Sequence, residues 1–95
     1  MKATRKLLVK ALDACAKAHK VEGEHFADDG QYGVYGTTVP IISDVRMICE
    51  AFFGKASMVE VSEGFCITIY MYEEKLLKQV NEDLLVLALP YATKL

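Results

Sequence analysis

The densest group of chemistry-bearing side chains, His25, Asp28 and Asp29, falls in the segment HFADDGQYGVYG, residues 25–36. Imidazole nitrogen and carboxylate oxygen together can hold a divalent ion, and His19, Glu22 and Glu24 are further donors nearby. No regular spacing puts these groups on one face, and Asp-Asp-Gly is a turn signal. A solvated acidic loop is the simpler reading. A metal-binding protein or an enzyme built on His25, Asp28 and Asp29 is the third of three functional expectations.

The glycines of the same segment, Gly30, Gly33 and Gly36, are spaced G-x-x-G-x-x-G. A nucleotide fingerprint needs a strand before the glycines and a helix starting at them, so that backbone amides meet the phosphates. Here a helical pattern precedes, the next one starts several residues later, and two aspartates flank Gly30. No phosphate cradle is expected. QYGVYGTTV suits an extended chain, with Tyr32 and Val34 to one side, Tyr35 to the other, and Gly33 and Gly36 allowing close approach or a bulge. A long structureless connection is uncommon in a small domain, so this stretch is expected to pack over a sheet or beside a hairpin.

The three cysteines, Cys15, Cys49 and Cys66, form no CxxC pair and are odd in number, which points to reduced thiols in a cytoplasmic setting. Cys15 and Cys49 fall on apolar helix faces and read as core. Cys66 alternates to the outer face of a strand, with no histidine near it in sequence. There is no nucleophile elbow and no HExxH motif. A non-catalytic protein without a cofactor is expected.

A basic face comes next. Lys2, Arg5, Lys6, Lys10, Lys17 and Lys20 share one side of a helical pattern, with Asp13 among them. Such a stripe can meet phosphates, which makes a nucleic-acid-binding regulator the second expectation. A winged helix-turn-helix, however, needs two helices joined by a short turn. The linker here is long, the second helix offers only Arg46, and a hairpin wing would bring Glu60 and Glu63 toward the phosphates. A lysine stripe opposite an apolar stripe is ordinarily a solvated face.

Four elements must position these residues. Residues 2–20 repeat at helical period, with Ala3, Leu7, Leu8, Ala11, Leu12, Ala14, Cys15 and Ala18 on the apolar face. Residues 41–53 form a second helix, with Ile41, Ile42, Val45, Ile48, Cys49, Phe52 and Phe53 inward, Thr38 a candidate N-cap, Pro40 in the first turn and Gly54 as the stop. KASMVEVSEGFCITIYMY reads as a hairpin. A loop at residues 62–64 pairs Val61 with Phe65 and Val59 with Ile67, gathering Val59, Val61, Phe65, Ile67, Ile69 and Met71 on one face. Residues 73–89 carry a third helical stripe of Leu76, Leu77, Val80, Leu84, Leu87 and Ala88, ended by Pro90. The apolar run 84–89 leaves a short helix plus a strand as the alternative. The fold class is α+β: one domain over residues 1–95, ordered helix, helix, hairpin, helix, with the helices on one sheet face.

The net charge of −2 excludes a generic polycation, and the 53% hydrophobic content is high for a chain of 95 residues. Surplus apolar surface in a small domain asks for a partner. No run approaches the length of a membrane span. Lys10 and Asp13 break the apolar stretch a signal peptide needs, so export is not expected. The first functional expectation is a small intracellular protein-interaction module, self-associating as a homodimer, of an accessory or phage-type regulatory kind. Its candidate contacts are Met58, Tyr70 and Tyr72 on the hairpin, and Leu85, Val86 and Leu89 facing out from the last helix.

Overall fold

The computed structural model describes residues 1–26, 30–36, 38–62, 66–72 and 75–90. Its elements are α1 (Arg5–Ala18), β1 (Glu22–Phe26), β2 (Gln31–Tyr35), α2 (Val39–Phe53), β3 (Val59–Ser62), β4 (Cys66–Tyr70) and α3 (Glu82–Ala88). This is the α+β class, with a four-stranded antiparallel sheet in the order β1-β2-β4-β3.

Both long helices start and stop where local chemistry demands. The Thr4 hydroxyl accepts from the Leu7 N–H at 3.1 Å and caps α1. The helix therefore begins three residues later than its periodicity suggests. Lys2 instead forms an isolated antiparallel bridge with Gln79. Thr38 is the N-cap residue of α2, Pro40 lies in its first turn, and Gly54 closes it in the left-handed conformation (φ 82°). The Gly54 N–H reaches the Glu50 carbonyl at 2.9 Å.

The sheet holds one hairpin more than the sequence patterns show. β1 and β2 pair antiparallel, and β2 continues into the sheet beside β4, with Tyr32 opposite Ile69 and Val34 opposite Ile67. The stretch expected to pack over the sheet or beside the hairpin is thus an integral strand of it. In the β3–β4 pair, Val61 lies opposite Ile67 and Val59 opposite Ile69. The expected loop at 62–64 is corrected at its first residue, since Ser62 belongs to β3 and pairs with Cys66. This correction slides the register by two residues, which keeps Val59, Val61, Ile67 and Ile69 on their expected face. Phe65 and Gly64 lie outside the described residues.

One face of the sheet presents Tyr32, Val34, Ile67 and Ile69 to Leu8, Leu12 and Cys15 of α1 and to Ile41, Val45, Ile48 and Phe52 of α2, all within one buried cluster. Burial pushes the thiols of Cys15 and Cys49 up from 9.0 to about 12, with a smaller contribution from Asp44 and Glu50 respectively. Each folded thiol holds its proton where the unfolded chain has lost it. Their contribution to stability is complete below about pH 9 and falls as pH rises toward about 12. Urea unfolding between about pH 8 and about pH 11 should show this decline, and Cys49→Ala should make it shallower, leaving the share due to Cys15.

The C-terminal part differs most from expectation. Residues 75–81 are not helical, and α3 starts only at Glu82. The reason lies at the end of α2, whose last carbonyls have no partner within the helix. The Leu77 N–H donates to the Phe52 carbonyl at 2.8 Å and the Asn81 N–H to the Ala51 carbonyl at 2.9 Å. On the other side, the Val80 N–H donates to Met1 and the Ala3 N–H to Lys78. Amides committed to these tertiary bonds cannot continue a helix from residue 73. The run 84–89 is helical through Ala88, so the strand alternative does not hold. A helical phase carried forward from Leu76, Leu77 and Val80 also fails: Leu85, Ala88 and Leu89 point inward, while Val86 and Leu87 point out.

Candidate functional site

α2 is apolar on more than one side. Its inner stripe, Ile41, Val45, Ile48, Cys49 and Phe52, is completely buried in the core. A second stripe, Val39, Ile42, Ser43, Arg46, Met47 and Glu50, recurs at helical spacing on the outer side. With Val61 at the edge strand β3, it lines an open groove of about 490 Å³. Val39 is 80% exposed and Val61 39%, while Ile42 and Met47 are half-buried. A surface helix ordinarily shows one apolar stripe and an opposite polar face. Here the second stripe mixes three apolar side chains with one cation and one anion, Arg46 and Glu50, a single turn apart. The periodicity of 39, 42, 43, 46, 47 and 50 was the available signal. It is hidden in sequence because Ile42 also fits the inner face.

The outer face of the sheet is a second open surface. It carries Glu22, Glu24, Phe26, Gly33, Tyr35, Glu60, Thr68, Cys66 and Tyr70 by the register of the strands. Tyr70 and Tyr72 meet edge to face with ring centroids 6.2 Å apart. The Tyr70 phenol is held protonated to higher pH, chiefly through its hydrogen bond to Glu60. Tyr35 donates to Glu24 at 3.3 Å. The Phe26 ring lies over Gly33, where a Cβ would sit 3.1 Å from it. This face pairs aromatics with carboxylates, a poor match for a phosphate backbone. Residues 31–35 do not cover it, since they are a strand within the sheet. Cys66 is half-buried on this face, 3.8 Å from the Thr68 hydroxyl.

Other expected contacts fall differently. Tyr72 is 54% exposed and Val86 66%, so both are available. Met58, Leu85 and Leu89 are buried and are corrected to core residues: Met58 precedes β3 with its carbonyl accepting from Tyr70, and the other two pack inward from α3. Leu87, expected inside, is 63% exposed. Of the basic stripe, Lys2, Lys6, Lys10, Lys17 and Lys20 are exposed. Arg5 is drawn off it, donating from Nη1 to the Met71 carbonyl. Asp13 in the middle of the stripe accepts a hydrogen bond from Tyr32.

His25 lies on β1 opposite Tyr32, whereas Asp28 and Asp29 lie outside the described residues. Among the described residues, a different group converges: Cys15, His19 and Asp44 place one donor atom each within 4.8 Å of one another. The Cys15 thiol is too deeply buried and too weakly acidic to act as a nucleophile. Cys15 and His19 share a helix face by their spacing of four. Asp44 comes from a separate helix, so the trio was not readable from sequence.

No family model, curated protein or solved structure matches the chain. Among the described residues, no helix is long and apolar enough to cross a membrane.

Proposed function

We propose that this chain is a non-catalytic protein-interaction module that self-associates through the groove between α2 and β3. The observation that carries the reading is the second apolar stripe on α2: Ile42 and Met47 pack against the core on one side only and stay half-buried, while Val39 and, beside the stripe, Val61 are exposed. Its charges are arranged for a symmetric partner. In a twofold dimer the same patch meets itself. Two antiparallel copies of α2 then place Arg46 of each against Glu50 of the other, with Met47 near the axis and Ile42 about 9 Å from it along the helix, toward the ends of the contact. Each apolar side chain covered adds about 1.5–3 kcal/mol at most, before the cost of association. A dimer in the micromolar range is the consistent outcome. The three unpaired thiols favour a reducing compartment such as the cytoplasm, and an accessory or regulatory role suits a module of this kind.

Sedimentation velocity over a concentration series tests the proposal. The parent protein should dimerise at micromolar concentration. Arg46→Glu should weaken the dimer at least tenfold, about 1.4 kcal/mol, because like charges then face each other. Glu50→Arg should do the same. Mixing these two single variants should restore a dimer, now a heterodimer, since one chain carries two acidic groups and the other two basic ones. A protein that stays monomeric at every concentration, or a mixture that shows no rescue, overturns the proposal.

A further inference from the structure

We propose that Cys15, His19 and Asp44 form a zinc(II) site where α1 meets α2. His19 is the C-cap residue of α1, and its N–H still donates to the Cys15 carbonyl at 3.1 Å, which holds it one turn beyond Cys15, the spacing that brings two side chains together. Asp44 reaches them from α2, and His19 Nε2 lies 2.7 Å from its Oδ2. All three donor atoms fall within 4.8 Å of one another. In a tetrahedral zinc site, bond lengths of about 2.0–2.3 Å set donor atoms roughly 3.3–3.6 Å apart. The histidine–aspartate pair, at 2.7 Å, must therefore part by about half an ångström, and the sulfur must settle within the same range, inside the 4.8 Å that already bounds the three atoms.

The donor set selects the metal. One sulfur, one imidazole nitrogen and one carboxylate oxygen suit zinc; calcium and magnesium prefer oxygen alone. Bound as thiolate and carboxylate, Cys15 and Asp44 neutralise the two positive charges of the ion. Access is also graded. Cys15 is fully enclosed, while the His19 and Asp44 side chains retain 18% and 16% exposure. The ion would enter from that side, and a water would complete the coordination there. The cluster lies apart from the α2–β3 groove, so the inference stands whether or not the chain dimerises. The competing account is a hydrogen bond that ties two helices together over a core cysteine, with no metal.

Metal-free protein titrated with cobalt(II) and then with zinc(II) separates these accounts. The expected result is one ion per chain, thiolate-to-cobalt charge-transfer absorption, displacement of cobalt by zinc, and a melting temperature that rises with zinc concentration. His19→Gln and Asp44→Asn should each weaken binding at least tenfold, and Cys15→Ala should remove the charge-transfer band. His25→Ala should change nothing. His19 is partly solvent-facing, so His19→Gln should keep the fold, checked by circular dichroism, even if Cys15→Ala does not. The proposal falls if cobalt gives no charge-transfer band, if His19→Gln binds zinc as the parent does, or if binding is lost in His25→Ala instead.

Discussion

Leu85→Asp should unfold the protein or leave it barely stable, while Leu87→Asp, two residues further on, should change stability by no more than about 0.5 kcal/mol. The two leucines occupy the same short helix and differ in where they point. Leu85 is 4% exposed and Leu87 63%. Truncating a buried leucine alone costs about 2–5 kcal/mol. A carboxylate in its place must also be desolvated or protonated at further cost. A domain of this size has roughly 5–10 kcal/mol in total, so the sum is comparable to the whole. α3 has seven residues, too few to be helical on its own, and its packing against α2 is what keeps it folded. Urea denaturation followed by circular dichroism gives both numbers. Equal effects at the two positions would mean that α3 does not sit with Leu85 inward.

The same helix shows what a run of apolar letters conceals. Between residues 84 and 89 every side chain is apolar, so periodicity alone cannot assign an inward face. The assignment was borrowed from Leu76, Leu77 and Val80, which belong to a segment whose amides cap the end of α2. Those capping bonds join residues far apart in the chain and leave no local pattern. By contrast the apolar face of α1 and most of α2 were legible, because the polar positions mark the phase and Thr38, Pro40 and Gly54 are local signals; Thr4, which caps α1 and sets its start, is a local signal that periodicity passes over. The β3–β4 face was legible for a similar reason: Ile67 and Ile69 alternate with Cys66, Thr68 and Tyr70.

β1 had no such mark. EGEHF holds one large apolar residue, and four of its five positions are exposed. It joins the sheet through backbone pairing to β2, and on the inner face its contribution to the packing is a missing side chain, at Gly23. The candidate sites followed the same rule. Pairs four residues apart, such as Cys15 with His19 at the end of α1 or Arg46 with Glu50 on α2, can be found from spacing, whereas Asp44 and Val61 come together with them only in three dimensions.

That missing side chain makes Gly23→Ala the most damaging single-methyl change to expect in the sheet. Gly23 pairs with Val34, so it lies diagonal to Tyr32 on the inner face. A Cβ there would overlap the Tyr32 hydroxyl oxygen and stand 2.8 Å from Cζ and 2.9 Å from Cε1. The tyrosine has nowhere to retreat, being completely buried while its hydroxyl donates to Asp13. Gly23 is not among the left-handed glycines, so the cost is steric and not one of backbone conformation. Overpacking costs about 1–3 kcal/mol, and breaking a hydrogen bond to a charged group about 1.5–3 kcal/mol. The expected loss is therefore about 3–5 kcal/mol. Tyr32→Phe alone should cost near the lower bound of that hydrogen-bond range, because Asp13 is exposed and water can solvate the released carboxylate. In the Tyr32→Phe background the nearest clash and the bond are both gone, but Cζ and Cε1 remain close. Gly23→Ala should then cost less without becoming harmless. The two substitutions should fall short of additivity by at least about 1 kcal/mol in a double-mutant cycle. Strict additivity would show that Gly23 and Tyr32 do not touch, and that β1 is held against the sheet in some other way.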